Sequence, residues 1–202
     1  MWVVEDHGLL SFIETLDFQH QYFNQVKIDK DKKFLIFVEH KPVYTIGKNS
    51  KIQMSEIKNI PVIKTERGGD ITYHGPGQIV IYPIFNLNQS KIGPKKYIQL
   101  LEEIIIDALK TFKINATTQQ TLPGVWIDNR KIASIGVRIM HGITFHGLAL
   151  NVSTDLNYFN YITPCGIDNL ETTSISKELG KKIAVDDIKA KIVKNFQKLI
   201  FI

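Results

Sequence analysis

The chain has 202 residues, of which 44% are hydrophobic and 22% charged, proportions that are ordinary for a soluble globular protein and exclude a disordered one. Its longest apolar runs fall short of the roughly 18 to 20 residues of a membrane span, and its first residues, MWVVEDHG, are acidic where a signal peptide is basic. The net charge of +5 favours acidic partners, but only three of the 25 basic residues are arginines, which argues against nucleic acid.

The sequence contains no linker rich in proline, glycine or serine. We therefore expect a single domain over residues 1–202. Because neither a membrane span nor a signal peptide is predicted, we expect the protein in the cytoplasm. A first amphipathic helix is predicted near the amino terminus from apolar positions at helical spacing: Leu9, Ile13, Leu16, His20 and Phe23.

Strands are predicted next for KFLIFVEH (33–40), PVYTIG (42–47) and NIPVIKTE (59–66). The first of these is expected to be buried, because its apolar run is continuous. A glycine-rich loop over 67–78 then leads into a further strand, IVIYPIFNL (79–87). A long helix is predicted over 97–112, where apolar residues recur at i, i+3, i+4 and i+7.

Three β-rich segments follow, GVWID (124–128), KIASIGVRIM (131–140) and ITFHGLALNV (143–152). Turns at 129–130 and 141–142 would join them into an antiparallel meander. The chain ends in a helix with Asp186 and Asp187 at its positive end and a stripe of Val185, Ile188, Ile192, Phe196 and Leu199. Helices at both ends and in the middle, with strands between, indicate an α+β or α/β layered fold.

The block RGGDITYHGPGQ (67–78) holds four glycines, Gly68, Gly69, Gly75 and Gly77. Bare backbone lets a ligand approach the main chain and lets amide N–H groups point into a site, where Arg67 could hold an anionic or carbonyl group. The alternative is a pair of tight turns flanking residues 71–73. The block is neither a phosphate loop nor a complete dinucleotide fingerprint, so nucleotide binding has no support from a motif.

Three more residues have both a functional and a structural interpretation. His74 is either a general base or a hydrogen-bonding group, and we place it in a substrate pocket. Lys131 begins an apolar strand, where burial of its stem would favour proton exchange, although most such lysines keep the amine in water. Gly147 inside a strand indicates a bulge or a close backbone approach, of which a ligand wall is one explanation. The six histidines are scattered and show no metal-ligand spacing, so no metal site is predicted.

The single cysteine, Cys165, stands between proline and glycine in ITPCGI (162–167). Proline and glycine together can hold the intervening side chain at a tight, exposed bend, which suits a nucleophile and equally an idle loop cysteine. One cysteine forms neither an internal disulfide nor a cysteine-rich zinc site. The thiol is therefore free or used in chemistry.

Taken in order, these blocks resemble the octanoyltransferase family, the lipoyl(octanoyl) transferases of lipoate biosynthesis. The resemblance runs from VEHKPVYTIG through RGGDITYHGPGQ, GVWIDNRKIASIG and FHGLALNV to PCG, and covers most of the chain. Five ordered blocks are specific, whereas any one of them would be weak. The resemblance implies the catalytic fold of biotin and lipoate protein ligases, with mixed or antiparallel sheets flanked by helices.

The resemblance also implies site residues and partners. The family's nucleophile matches Cys165, and its companion lysine matches Lys131. The implied reaction moves an octanoyl or lipoyl group from the phosphopantetheine of acyl carrier protein to the acceptor lysine of lipoyl domains, in 2-oxoacid dehydrogenase E2 subunits and glycine cleavage H protein. This would be the first step of endogenous protein lipoylation, with no cofactor, nucleic acid or membrane. The family's substrate-binding segments match Arg67, Gly68, Gly69, Asp70, Ile71, Thr72, Tyr73, His74, Ser134, Ile135, Gly136, Gly147, Leu148 and Ala149.

This chemistry places demands on the two proposed catalytic side chains. A free cysteine has a pKa of about 8.5 and is only a few per cent thiolate at neutral pH, so a nearby ammonium is needed to lower it. Lys131 precedes Cys165 by 34 residues (165 minus 131), so the fold must bring them together. Octanoyl exceeds acetyl by six carbons, and at roughly 0.8 kcal/mol per buried methylene a closed apolar pocket has about 5 kcal/mol available for discrimination.

Three alternatives remain open from the sequence. An ATP-dependent lipoate or biotin protein ligase on the same fold would activate a free acid and need no cysteine. A non-catalytic module that binds acyl groups or their carrier would leave Cys165 incidental. A thiol hydrolase would pass the acyl group to water, but no histidine motif accompanies the cysteine.

Overall fold

Two β-sheets and four α-helices make up most of the regular structure. The structure is a computed structural model that describes residues 1–48, 50–120, 122–163 and 170–199. A short 3₁₀ helix also covers Leu156–Tyr161. In chain order the elements are β1 (Val3–Leu10), α1 (Phe12–Ile28), β2 (Lys33–His40), β3 (Val43–Ile46), β4 (Glu56–Ile57), β5 (Ile60–Lys64), β6 (Thr72–His74), β7 (Gln78–Phe85), α2 (Pro94–Lys110), β8 (Gly124–Ile127), β9 (Arg130–Met140), β10 (Ile143–Asn151), α3 (Ile175–Leu179) and α4 (Asp186–Leu199).

Both sheets are mixed, as the resemblance implied. The larger has the order β1-β2-β7-β10-β9-β8, in which only β1 and β2 are parallel. The smaller has the order β4-β5-β3-β6. The predicted meander of β8, β9 and β10 is confirmed, with its second turn at His141 and Gly142, which have φ of 52° and 77°. The first turn lies at Asp128–Asn129, one residue earlier than predicted, because Asp128 takes the positive φ (52°) and Arg130 already pairs with Ile127.

Helices cover both faces of the larger sheet. One face of β2 and β7 packs on α2 and α4 through Leu35, Phe37, Ile79 and Ile81, and the opposite face packs against α1. Both faces of β2 are therefore covered by helices. This agrees with the buried position predicted from its continuous apolar run. None of the helices in the described part of the chain is long and apolar enough to cross a membrane.

The first helix begins at Phe12, so the prediction that included Leu9 in it is wrong. Residues Val3–Leu10 form β1, an edge strand whose side chains are mostly exposed or half-buried and therefore lack a clear apolar pattern. Ser11 separates the two elements with a capping box. Its side chain accepts a hydrogen bond from the Glu14 N–H at 3.3 Å, and the Glu14 carboxylate accepts one from the Ser11 N–H at 2.9 Å.

The buried face of α1 also differs from the predicted one. Phe23 is buried as expected, but Ile13 is 51% exposed. Two polar residues, Thr15 and Gln19, occupy the buried face instead. Thr15 donates to the Ser11 carbonyl, and the Gln19 side chain accepts from the His146 N–H at 3.1 Å. Polar residues that are hydrogen-bonded can lie inside, and they conceal the helical period.

The two remaining predicted helices are confirmed. In α2 the stripe from Tyr97 to Leu109 is buried, and in α4 Ile188, Ile192 and Phe196 are fully buried. The helices are also joined by a hydrogen bond from the Asn195 side chain to the Ile104 carbonyl at 3.1 Å. Together they form the main core with the larger sheet.

Candidate active site

A cavity of about 910 Å³ opens between the smaller sheet and the strands β7, β9 and β10. Every predicted substrate residue except Tyr73 lines it, and so does Lys131. Three segments that are distant in the sequence, 67–74, 134–136 and 147–149, therefore meet in one wall.

Tyr73 points away from this cavity. Its ring stacks on Tyr158 at 4.6 Å and meets Phe159 edge to face at 5.7 Å, inside an aromatic cluster that also holds Tyr44. A strand alternates its side chains between faces, so Thr72 and His74 line the cavity while Tyr73 packs behind β6. Its contribution to the site is support of the wall.

Because glycine has no side chain, the glycine-rich loop can lie directly against β9. The Gly68 N–H donates to the Val137 carbonyl at 3.0 Å, and a Cβ on Gly136 would stand 3.0 Å from the Arg67 side chain. On the other side, a Cβ on Gly47 would lie only 1.8 Å from the Gly69 carbonyl oxygen. This close packing explains why glycine is required at positions 47 and 136.

The Arg67 guanidinium is engaged by the protein itself. It donates to the Thr45 carbonyl at 2.6 Å, to the Thr45 hydroxyl at 2.9 and 3.1 Å, and to the Gly68 carbonyl at 2.9 Å. The sequence suggested that Arg67 holds a carbonyl or an anion. Among its partners here are two main-chain carbonyls, so the guanidinium fastens the glycine-rich loop to β3.

A chain of hydrogen bonds runs from His74 beneath the cavity. The His74 ring contacts the Thr45 hydroxyl at 3.2 Å through Nε2 and the Gln78 Oε1 at 2.7 Å through Nδ1. The Gln78 side-chain amide donates to Asn151 at 2.9 Å, and the Asn151 amide donates to the Thr173 carbonyl at 3.0 Å. The amide oxygen of Gln78 accepts only, so the His74 proton is on Nδ1.

Three buried histidines around the cavity are held neutral by desolvation. Burial lowers the pKa of His40 to about 4 and that of His146 to about 3, and it lowers the pKa of His74 well below the usual 6.5. The folded protein therefore binds fewer protons than the unfolded chain below pH 6.5. Stability is fully present above that value and is lost as the pH falls toward the depressed pKa values.

Replacing His40 by glutamine is expected to weaken this acid sensitivity. The side chain is fully buried, and Nε2 lies 2.8 Å from the Tyr82 hydroxyl, a contact that an amide can keep. Between about pH 6.5 and pH 4 the unfolding free energy of the variant should fall less steeply, by about 1.4 kcal/mol per pH unit. Urea unfolding at several pH values measures this, with His141→Gln at an exposed turn as control. Equal slopes for His40→Gln and the wild type would contradict the prediction.

Several cavity residues were not predicted from the sequence, among them Phe12, Tyr82, His146 and Asn151. His146 and Asn151 both lie in β10, where they interrupt the otherwise apolar segment ITFHGLALN. A buried polar residue in an apolar strand is the signal that could have identified them. Phe12 and Tyr82 carry no such signal, because aromatic residues are common in any core.

Lys131 is 4% exposed and lines the cavity. Its Nζ lies 5.1 Å from the centre of the Trp126 ring, within the range of a cation–π contact. Its main chain pairs with residues 171–173: the Lys131 N–H donates to the Glu171 carbonyl at 2.8 Å, and the Thr173 N–H donates to the Lys131 carbonyl at 3.0 Å. The strand that carries the lysine is thus tied to the segment after the predicted nucleophile.

Cys165 is one of residues 164–169, which lie outside the described residues. The chain before and after them is described. Leu170 and Thr172 line the cavity together with Lys131. Within the described residues, no group of three or more histidine, cysteine, aspartate or glutamate side chains is placed to hold a metal ion.

Comparisons with known proteins identify the family to which the chain is similar. Residues 12–197 match the lipoyl protein ligase A/B catalytic domain. The octanoyltransferase of Bacteroides fragilis is 39% identical, over 94% of this chain and 94% of that protein. The octanoyltransferase of Porphyromonas gingivalis is 43% identical over 88% of this chain, which spans 40% of that longer protein.

The fold is similar to that of a solved structure. The crystal structure of P. falciparum LipL1 in complex with lipoate superposes with a TM-score of 0.76 at 20% identity, over 98% of this chain and 62% of that one. This confirms the predicted fold class. Since the family match covers nearly the whole chain, and the Bacteroides fragilis relative is similar end to end, the chain belongs to the octanoyltransferases of the lipoyl protein ligase A/B family.

Proposed function

We propose that this octanoyltransferase takes an octanoyl group from acyl carrier protein, carries it on Cys165 as a thioester, and passes it to a lysine of a lipoyl domain. The observation that carries the proposal is the position of Lys131. Lys131 lines the cavity, and its main chain is hydrogen-bonded to the segment that follows Cys165. This arrangement supports a lysine and a cysteine acting together on one acyl group.

In the first step the Cys165 thiolate attacks the carbonyl carbon of the carrier thioester. The bond from that carbon to the phosphopantetheine sulfur breaks, a new carbon–sulfur bond forms, and the carrier leaves as a thiol that takes its proton from the Lys131 ammonium, which becomes a neutral amine. The exchange of one thioester for another is nearly balanced. The Lys131 ammonium favours the thiolate that begins it.

In the second step the neutral amine of the acceptor lysine attacks the acyl-enzyme. An amide forms, Cys165 leaves as a thiolate, and the proton lost by the incoming amine passes to Lys131. The amide is more stable than the thioester it replaces. The reaction thus requires no ATP.

The cavity supplies an apolar surface for the eight-carbon chain. Val80, Leu148, Ala149 and Phe12 lie in its wall, and each methylene buried there contributes roughly 0.8 kcal/mol. This surface supports a preference for octanoyl over short acyl groups. Acyl carrier proteins and lipoyl domains are typically acidic, so the net charge of +5 would favour encounter with both, and less so at high salt.

Intact-mass measurement tests the proposal. After exposure to octanoyl acyl carrier protein without ATP, the wild type should gain the mass of one octanoyl group, and Cys165→Ser should gain none. Addition of a lipoyl domain, from an E2 subunit or the glycine cleavage H protein, should move that mass to the domain. An unmodified wild type would instead indicate a binding module, and modification that depends on ATP and free octanoate would indicate a ligase. Release of the adduct to water in the presence of the domain would indicate a hydrolase.

A further inference from the structure

A buried carboxylate on α2 lies behind the cavity wall that holds Lys131. Glu102 is 7% exposed, and its Oε1 accepts a hydrogen bond from the Gly124 N–H at 3.0 Å. It belongs to the helix stripe that otherwise packs apolar side chains into the main core. Acidic residues are rarely buried unless a partner compensates the charge.

Gly124 connects this carboxylate with the lysine. Its φ is 144°, and a Cβ on it would stand 2.6 Å from Lys131 Cε and 3.3 Å from Lys131 Nζ. The lysine side chain therefore passes directly over the bare backbone of Gly124, while the N–H of the same residue holds Glu102. Three elements, α2, β8 and β9, bring the carboxylate, the glycine and the ammonium together.

The charges in this region agree with a coupling between the two side chains. Burial raises the pKa of Glu102, while the hydrogen bond from Gly124 and the positive charge of Lys131 lower it. The neighbouring Glu103 raises the same pKa, but its side chain is exposed and pairs with Lys96 at 3.5 Å. On the β8 side, the group that faces the amine is the Trp126 ring, which does not titrate.

We propose that Glu102 is a positioning residue for octanoyl transfer, whose negative charge holds the Lys131 side chain over Gly124, beside the acyl group. The proposal rests on the proposed function, because it needs Lys131 to act on Cys165. Loss of the carboxylate charge would leave Lys131 less firmly placed. Cys165 would then form its thiolate at higher pH.

The direction in which the pKa of the Cys165 thiol moves separates the proposal from a direct effect of the Glu102 charge on the thiol. Removing a negative charge acts directly on a nearby thiol by making its thiolate more favourable, which lowers the thiol pKa. An effect that passes through Lys131 raises it instead. The two explanations therefore predict opposite shifts.

The experiment follows thiolate formation in the full chain by ultraviolet absorbance against pH, with each variant corrected by its Cys165→Ser counterpart. Glu102→Gln keeps an oxygen for the Gly124 N–H and removes the charge, and Glu103→Gln on the same helix is the matched control. Glu102→Gln is expected to raise the midpoint by roughly half a pH unit or more. It should also lower kcat while leaving the KM for octanoyl carrier as in the wild type.

Lys131→Met provides the second comparison. It should raise the thiolate midpoint at least as far as Glu102→Gln, and adding Glu102→Gln to it should raise the midpoint no further. If Lys131→Met shifts the midpoint and Glu102→Gln leaves it unchanged or lowers it, the positioning role is refuted while the proposed function stands. If Lys131→Met has no effect, both are refuted.

Discussion

Replacing Lys131 by methionine is expected to slow octanoyl transfer to a lipoyl domain by about 10²- to 10⁴-fold, the usual contribution of a positioned acid or base. Methionine keeps much of the length and apolar character of the stem, which is buried in the wall of the cavity. In the proposed mechanism it removes both the charge that favours the thiolate and the group that accepts the proton. Intact-mass measurement of quenched time points, with octanoyl carrier and a lipoyl domain, follows both the acylation of Cys165 and the transfer to the domain.

A second substitution at the same position separates the two proposed roles of Lys131, which are to favour the thiolate and to accept the proton of the acceptor amine. Lys131→Arg keeps the positive charge but holds its proton permanently, so acylation of Cys165 should persist, with the leaving carrier thiolate taking its proton from water, while transfer to the acceptor amine is lost. Lys110→Met, at an exposed position on α2, is the control and should react as the wild type. Wild-type transfer by Lys131→Met would contradict the role of this amine in both steps.

Gly147→Ala is expected to destabilise the folded chain by about 2 to 3 kcal/mol, at the upper end of the usual cost of overpacking. The added Cβ would stand 2.0 Å from the Ile81 carbonyl oxygen and 2.9 Å from the Pro83 ring. The carbonyl belongs to β7 at the centre of the larger sheet, so it cannot move aside without breaking strand pairing. The close backbone approach expected from the sequence at this glycine is thus one between two strands.

Urea unfolding of the variant tests this expectation. Gly68→Ala is the control, because its Cβ would stand 3.4 Å from the nearest atom, the Val137 carbonyl oxygen, which is an ordinary contact. Both glycines line the same cavity, so the comparison isolates packing from location. A Gly147→Ala protein as stable as Gly68→Ala would show that β7 and β10 can separate without cost.

The sequence predicted best those elements whose apolar pattern directly reflects the faces that they bury. The stripe of α2 and the continuous run of β2 report burial directly, and both were located. The strand β1 was missed because it is an edge strand with exposed side chains on both faces. The buried face of α1 was misassigned because Gln19 lies on it, where its side-chain oxygen accepts a hydrogen bond from the main chain of His146, 127 residues away.

Prediction of the functional site was limited in the same way, because only residues with a local sequence pattern could be found. Ordered blocks located the loop at 67–74, the strand segments at 134–136 and 147–149, and Lys131, since each has a local pattern. Glu102 has none. Its partner Gly124 is 22 residues away in another element, and within the helix it is one acidic residue in an apolar stripe. Such pairs become visible only when the packing of α2 on the sheet is known.

The hydrogen bonds beneath the cavity also decide between the two interpretations of His74. Both ring nitrogens are occupied, one by the Gln78 amide oxygen and the other by the Thr45 hydroxyl. The donors along the chain all face the same way, and the last acceptor is the Thr173 carbonyl. A proton could travel along it only if the amides of Gln78 and Asn151 took up their imidic acid forms. The imidazole of His74 is thus insulated from proton traffic and acts as a hydrogen-bonding group that supports the cavity wall.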